Sequence, residues 1–388
     1  MFALSLVMIV DSMKEMVKRL FLTLLSLVSS VMMFGHTVSI PSSFIGQDYV
    51  LAARVEKVSE PRELGNMKLC AGLRVYNPQI VRFVDKVDSL LLVSDDEKRG
   101  PQILRFAVLE RKAGQIMVNV DDVFKSIIRG VDILSGKLLP GKMKEDETDI
   151  VRVYGDASHM EVSVRYVYES DKGDFHITIR KSLMLLDGQP MQGRPVDKRL
   201  GFKSDNKTFI NRFDLNKRKN ILFYIDDAFP MLWRDAIKLG IEDWNRAFDR
   251  IGYHGVIKTM TFADAGDEFD PFDFRNNSFF YVDSDFANAM GCHWTDPRSG
   301  EILQADVLFY RNVVEKLTSW IVLQTGAYNK TVADGVDDVT LKRIIRYAAS
   351  HEIGHCLGLE HNFLASSSYP TDSLRSPSFC AVNGTTPS

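Results

Sequence analysis

The stretch His351-Glu352-Ile353-Gly354-His355-Cys356-Leu357-Gly358-Leu359-Glu360-His361 carries the residues best suited to chemistry in this chain of 388 residues. His351 and His355 are four apart, so on an α-helix both imidazoles project from one face toward a common point. That is a metal-ligand spacing. Glu352 would lie beside a metal ion rather than on it, where a carboxylate can take a proton from metal-bound water. Gly358 can adopt the left-handed conformation that ends a helix, turning the chain so that His361 returns as a third ligand. Three neutral nitrogens plus one open position describe a catalytic zinc site rather than a closed structural one. A histidine pair at helical spacing often lies idle on a surface, but the whole pattern is far more specific in a chain with only 8 histidines.

These residues need a helix ahead of them and a sheet beneath it. Asp337 or Asp338 can start that helix, and Leu341, Ile344, Ile345 and Ala348 give it a buried stripe that His351 continues. Another helix is expected from about Val313 to Thr325. Upstream, Ile221 to Ile225 reads as a strand. A single long helix should follow from Pro230 to about Gly252, with Leu232, Trp233, Ala236, Ile237, Ile241, Trp244, Ala247, Phe248 and Ile251 at steps of 3 and 4. Strands are expected at Val256 to Phe262, Ser278 to Val282 and Ile302 to Tyr310, the last preceded by a turn at Asp296-Pro297-Arg298-Ser299-Gly300. The acidic run from Asp264 to Asp273 matches no calcium-loop spacing and reads as a solvated loop.

The front of the chain reads differently. Lys14, Lys18 and Arg19 precede the uncharged, apolar stretch Leu20 to Phe34, so residues 1–35 read as a secretory signal peptide and predict an exported protein: periplasmic, cell-surface or extracellular. From about 41 to 213 the pattern is strand-rich and helix-poor. Val162, Val164, Tyr166 and Tyr168, then Phe175, Ile177 and Ile179, alternate with mostly polar residues around a Gly-containing turn, which predicts a hairpin. Similar runs at 48–58, 80–93 and 103–120 suggest a largely antiparallel β domain with no group of residues equipped for chemistry. Residues 191–197 join the halves and read as an ordinary linker. The fold class expected is α+β, with a β-rich domain at 41–213 and a catalytic domain at 221–388.

Net charge is only -3, with no basic stripe, so nucleic acid and acidic membrane surfaces are not expected partners. The four cysteines, Cys70, Cys292, Cys356 and Cys380, show no CxxC spacing and imply neither a metal knuckle nor a disulfide framework. Cys356 reads as a small apolar filler on the helix face away from the metal.

The eleven-residue motif resembles that of the metzincin metallopeptidases. Tyr347-Ala348-Ala349-Ser350 before it, Asn362-Phe363-Leu364-Ala365-Ser366-Ser367 after it, and Asn288-Ala289-Met290-Gly291 with Asp296 to Ile302 upstream narrow the likeness. They resemble a bacterial, Bacteroidetes-type family of zinc-dependent metalloproteases with an EcxA-like zinc-binding domain. The resemblance implies a secreted zinc endopeptidase acting on protein or peptide substrates. It implies zinc on His351, His355 and His361, with Glu352 as general base. It also implies a twisted mixed sheet with two long helices, in which Ile302 to Tyr310 is the edge strand that pairs with extended substrate. Residues 191–197 resemble the latency segments that place a Cys or Asp on the zinc in other metzincins, which would make Asp197 that ligand, although an ordinary linker is the simpler reading; the family tends to lack a histidine at the position of His293, which reads as incidental. Metzincins place a Met in a turn downstream of the third histidine, yet no Met follows Met290, so the C-terminal subdomain is expected to be largely missing. Two other readings stay open. One is an inactive zinc-binding, protein-binding or glycan-binding remnant; the other, an HExxH aminopeptidase with a downstream Glu ligand, is disfavoured because His361 fills the third position.

Overall fold

Alternation in the front half becomes strands wherever two apolar faces can be buried. A computed structural model describes residues 37–60, 62–64, 67–74, 76–94, 102–135, 141–169, 173–326, 330–333 and 335–383. The signal-peptide reading at 1–35 lies outside them. Among the described residues the fold is α+β, with the large antiparallel sheet N-terminal.

That sheet runs through β1 (Thr37–Pro41), β2 (Asp48–Val58), β3 (Gln79–Asp85), β4 (Ser89–Ser94), β5 (Gln102–Lys112), β6 (Gln115–Asn119), β7 (Asp149–Gly155), β8 (His159–Tyr168) and β9 (Phe175–Leu185). Its order is β1-β6-β5-β4-β3-β2-β9-β8-β7, antiparallel at every pairing. The expected hairpin is β8–β9, with Tyr168 opposite Phe175. The runs 80–93 and 103–120 are each two strands rather than one. Ala113 and Gly114, both at positive φ, make the tight turn that divides the second run.

A second sheet holds β10 (Ile221–Ile225), β11 (Ile257–Thr261), β12 (Asn277–Val282), β13 (Ala289–Asp296) and β14 (Glu301–Tyr310), in the order β11-β10-β12-β14-β13. The β13–β14 pairing is antiparallel and the others are parallel. Here the structure corrects the sequence reading: the edge strand is β13, and Ile302 to Tyr310 lies inside the sheet. Every residue of β14 is buried, so both faces of this central strand are covered.

The chain divides by contacts into one unit of residues 37–59 and 79–186 and another of 60–78 and 187–383. The boundary therefore falls at Leu186/Asp187 rather than between 213 and 221. The stretch 60–78, which reads as part of the β domain, belongs to the second unit. Arg74 fixes it there: its guanidinium donates to Gln304 Oε1 at 2.7 Å and to Cys292 Sγ at 2.9 and 3.1 Å, and lies 4.5 Å over the Trp294 ring.

Four helices matter for the site: α1 (Met231–Glu242), α2 (Asn245–Arg250), α3 (Arg311–Thr325) and α4 (Asp338–Cys356). The single helix expected from 230 to 252 is two, because the bonds Arg246 N–H to Asp243 O and Ala247 N–H to Trp244 O tighten the chain into a three-residue turn there. Ile237 and Ile241 of α1 and Ile345, Ala349 and Ile353 of α4 share one core with Phe223, Phe279, Val307 and Phe309 of the sheet. None of the helices among the described residues is long and apolar enough to cross a membrane.

Candidate metal centre

The site is built on the last turns of α4. Asp337 caps that helix by accepting the Thr340 N–H at 2.8 Å. Ile344, Ile345, Ala348, Ala349, Ile353 and Cys356 are buried along it, which fixes its rotation so that His351 and His355 point outward. Two glycines let other elements come close. A Cβ on Gly240 of α1 would stand 2.4 Å from Arg346 O, and one on Gly291 of β13 would stand 2.0 Å from Glu352 O. Trp244 Nε1 then donates to Ser350 O at 2.8 Å, tying α4 to the start of α2.

After Cys356 the helix stops, and Gly358 at φ 94° turns the chain as its spacing predicts. The turn brings His361 back. Its Nε2 lies 3.1 Å from His351 Nε2 and 3.2 Å from His355 Nε2. A tetrahedral ion with bonds of about 2.0–2.1 Å holds its ligand nitrogens roughly 3.3 Å apart, so both spacings fit a zinc ion, and the ligand atoms of all three histidines lie within 4.8 Å of one another. His355 is oriented by its other nitrogen: Nδ1 donates to Leu359 O at 2.9 Å, which leaves Nε2 as the lone-pair face toward the ion. Burial, with the neighbouring histidines adding to it, pulls His351 down to about 4; burial lowers His355 as well. Both imidazoles are thus neutral at pH 7, the form that can hold a metal ion.

Glu352 is 7% exposed, and its carboxyl reaches β13. Gly291 N–H donates to its Oε2 at 2.6 Å. Burial pushes its carboxyl up to about 7, against the opposing pull of the Gly291 N–H and the Lys203 charge. A carboxyl poised there can exchange protons at neutral pH.

Residues 333–388 match the Met-zincin family model. The matched segment includes the helix, the glycine turn and all three histidines, and the match supports a metallopeptidase of zinc type. No curated protein and no solved structure matches the chain.

Of two single residues upstream of the motif, Asp197 keeps its linker reading and His293 changes. Asp197 is held by Arg199, which donates from Nε at 2.9 Å and from Nη2 at 2.7 Å, and it caps the short turn Lys198–Leu200. His293 is not incidental. It is 8% exposed on β13, its Nδ1 is 3.0 Å from His355 O, and its Nε2 is 2.9 Å from Asn211 Nδ2. Asn211 and the stretch around it had no signal in the sequence, since neither spacing nor residue type distinguishes them from a linker.

Proposed function

We propose that the chain is an exported zinc-dependent endopeptidase, with His351, His355 and His361 as metal ligands and Glu352 as general base. The observation that carries this reading is the convergence of the three histidines, with His361 Nε2 3.1 Å from His351 Nε2 and 3.2 Å from His355 Nε2, on a helix that also carries the buried carboxyl of Glu352. When bound, zinc lowers the pKa of a coordinated water toward 7 and polarises the scissile carbonyl. Glu352 takes the proton of the attacking water and then delivers it to the leaving amine. Gly291 N–H holds the carboxylate in place for both transfers. No covalent intermediate is needed. The antiparallel strand β13 at the sheet edge supports substrate binding in extended form, by backbone pairing along that edge. Export rests on the charged and then apolar start of the sequence.

Replacing Glu352 by Gln tests the assignment, because shape and hydrogen bonding are kept while the base is lost. Zinc content, read by metal analysis, should stay at about one per chain. Casein cleavage should fall by about 10^2–10^4. Equal cleavage by both proteins would remove Glu352 from the mechanism; zinc lost along with activity would make it a ligand instead.

A further inference from the structure

The turn that returns His361 is held from outside by a stretch upstream of the catalytic sheet. Lys203 N–H donates to Gly358 O at 2.7 Å, and Glu360 N–H donates to Gly201 O at 2.8 Å. Phe202 and Leu359 thereby face each other as an antiparallel bridge. Leu359 is the residue whose carbonyl orients His355. Gly358 also rests directly on the Asn211 backbone, since a Cβ there would lie 2.1 Å from Asn211 O.

Side chains close the same loop. Asn211, 1% exposed, accepts the Asp205 N–H on Oδ1 at 3.2 Å. Its amide direction is thus set, with Nδ2 donating to His293 Nε2. His293 must then carry its proton on Nδ1, which donates to His355 O. That carbonyl, in the last turn of helix α4, also accepts the Gly358 N–H at 3.1 Å, so His293 adds a second donor at the oxygen where the helix passes into the turn.

We propose that the segment Gly201–Asn211 and the side chain of His293 form a clamp that positions the second and third metal ligands, with Asn211 and His293 as its positioning residues. The clamp rests on the zinc reading above. Its backbone pairs fix where the 358–361 turn runs, and the Asn211–His293–His355 chain fixes the end of the helix from which that turn departs. Outer hydrogen-bond partners of this kind are worth about 10–100-fold in metal affinity.

The test is zinc affinity, measured by competition with a chromophoric chelator at a temperature well below unfolding, for the wild type, Asn211→Ala, His293→Phe and His293→Gln. Asn211→Ala and His293→Phe should each bind zinc about 10–100-fold more weakly. His293→Gln keeps a donor and an acceptor on one arm and should recover affinity to within a few-fold of wild type. Cobalt(II) substituted for zinc should show an altered visible spectrum in the two weakened variants and not in His293→Gln. Wild-type affinity and an unaltered cobalt spectrum in Asn211→Ala and His293→Phe would overturn the clamp. If His293→Phe does not fold, Asn211→Ala against wild type decides alone. A wild type that binds no zinc would instead overturn the metal-centre reading, and the clamp with it.

Discussion

Glu352 sits where a carboxylate is least comfortable, and its chemistry and its cost have the same origin. Burial holds its proton up to about 7, compared with an ordinary glutamate near 4.5. Folding of the metal-free chain is therefore linked to this proton. The group's contribution is fully present below pH 4.5, is lost as pH rises toward 7, and above that disfavours the fold by on the order of 3 kcal/mol, at about 1.4 kcal/mol per tenfold change in proton affinity. Glu352→Gln carries no such charge. With zinc removed by a chelator, the variant should unfold at higher denaturant than wild type at pH 8, and the gap should close toward pH 5. His351 and His355 are common to both proteins and largely cancel in the comparison. A gap that does not vary with pH would mean that burial is not what raises the carboxyl. At this scale the sequence was legible only where chemistry forces spacing: the i, i+4 histidines and the glycine turn. His293 and Asn211 lie 82 residues apart in sequence, and they acquire meaning only because β13 and the 201–211 stretch meet α4.

Elements were legible as lengths of strand and helix, and less so as neighbours. The resemblance makes Ile302 to Tyr310 an edge strand, whereas the structure pairs it on both sides and buries even its polar residues, Gln304 and Asp306. The true edge, β13, includes Gly291, Cys292, His293 and Thr295, a polar and small-residue mixture that reads poorly as a strand. Its composition follows from its position against α4. Gly291 has no side chain because the Glu352 carbonyl occupies that space, and the same residue's N–H holds the Glu352 carboxyl. Gly291→Ala should push β13 and α4 apart, destabilising the protein by about 1–3 kcal/mol as overpacking does. Cleavage should drop more than zinc content does, because the strain falls on the Glu352 contact and not on the three nitrogens. Chemical denaturation and metal analysis on the same preparation check both parts. Wild-type stability would show that the close approach relaxes at no cost.

For the whole molecule, patterning found much of the strand-rich front half and missed where one body ends and the other begins. Residues 60–78 and 187–213 look like more of the β domain, yet they pack with the second unit through particular residues such as Arg74. Periodicity says which face of a segment is apolar and nothing about what covers it. The first unit has its own internal fixture. Lys181 on β9 is fully buried, with Nζ 3.0 Å from Asp132 Oδ2, 2.6 Å from both Phe124 O and Ser126 O, and 2.8 Å from Tyr166 Oη. Burial pushes the Asp132 carboxyl up and the Lys181 amine down, which is the strain of holding such a pair away from water. Lys181→Met keeps the length and removes the donor, leaving Asp132 and two carbonyls facing an apolar methyl. The variant should lose about 3–5 kcal/mol of stability in this unit, read as faster hydrogen exchange of the β8 and β9 amides. Adding Asp132→Asn removes the stranded carboxyl and should restore part of that protection. Unchanged exchange in Lys181→Met would mean that water reaches the site and that the pair contributes little to the sheet.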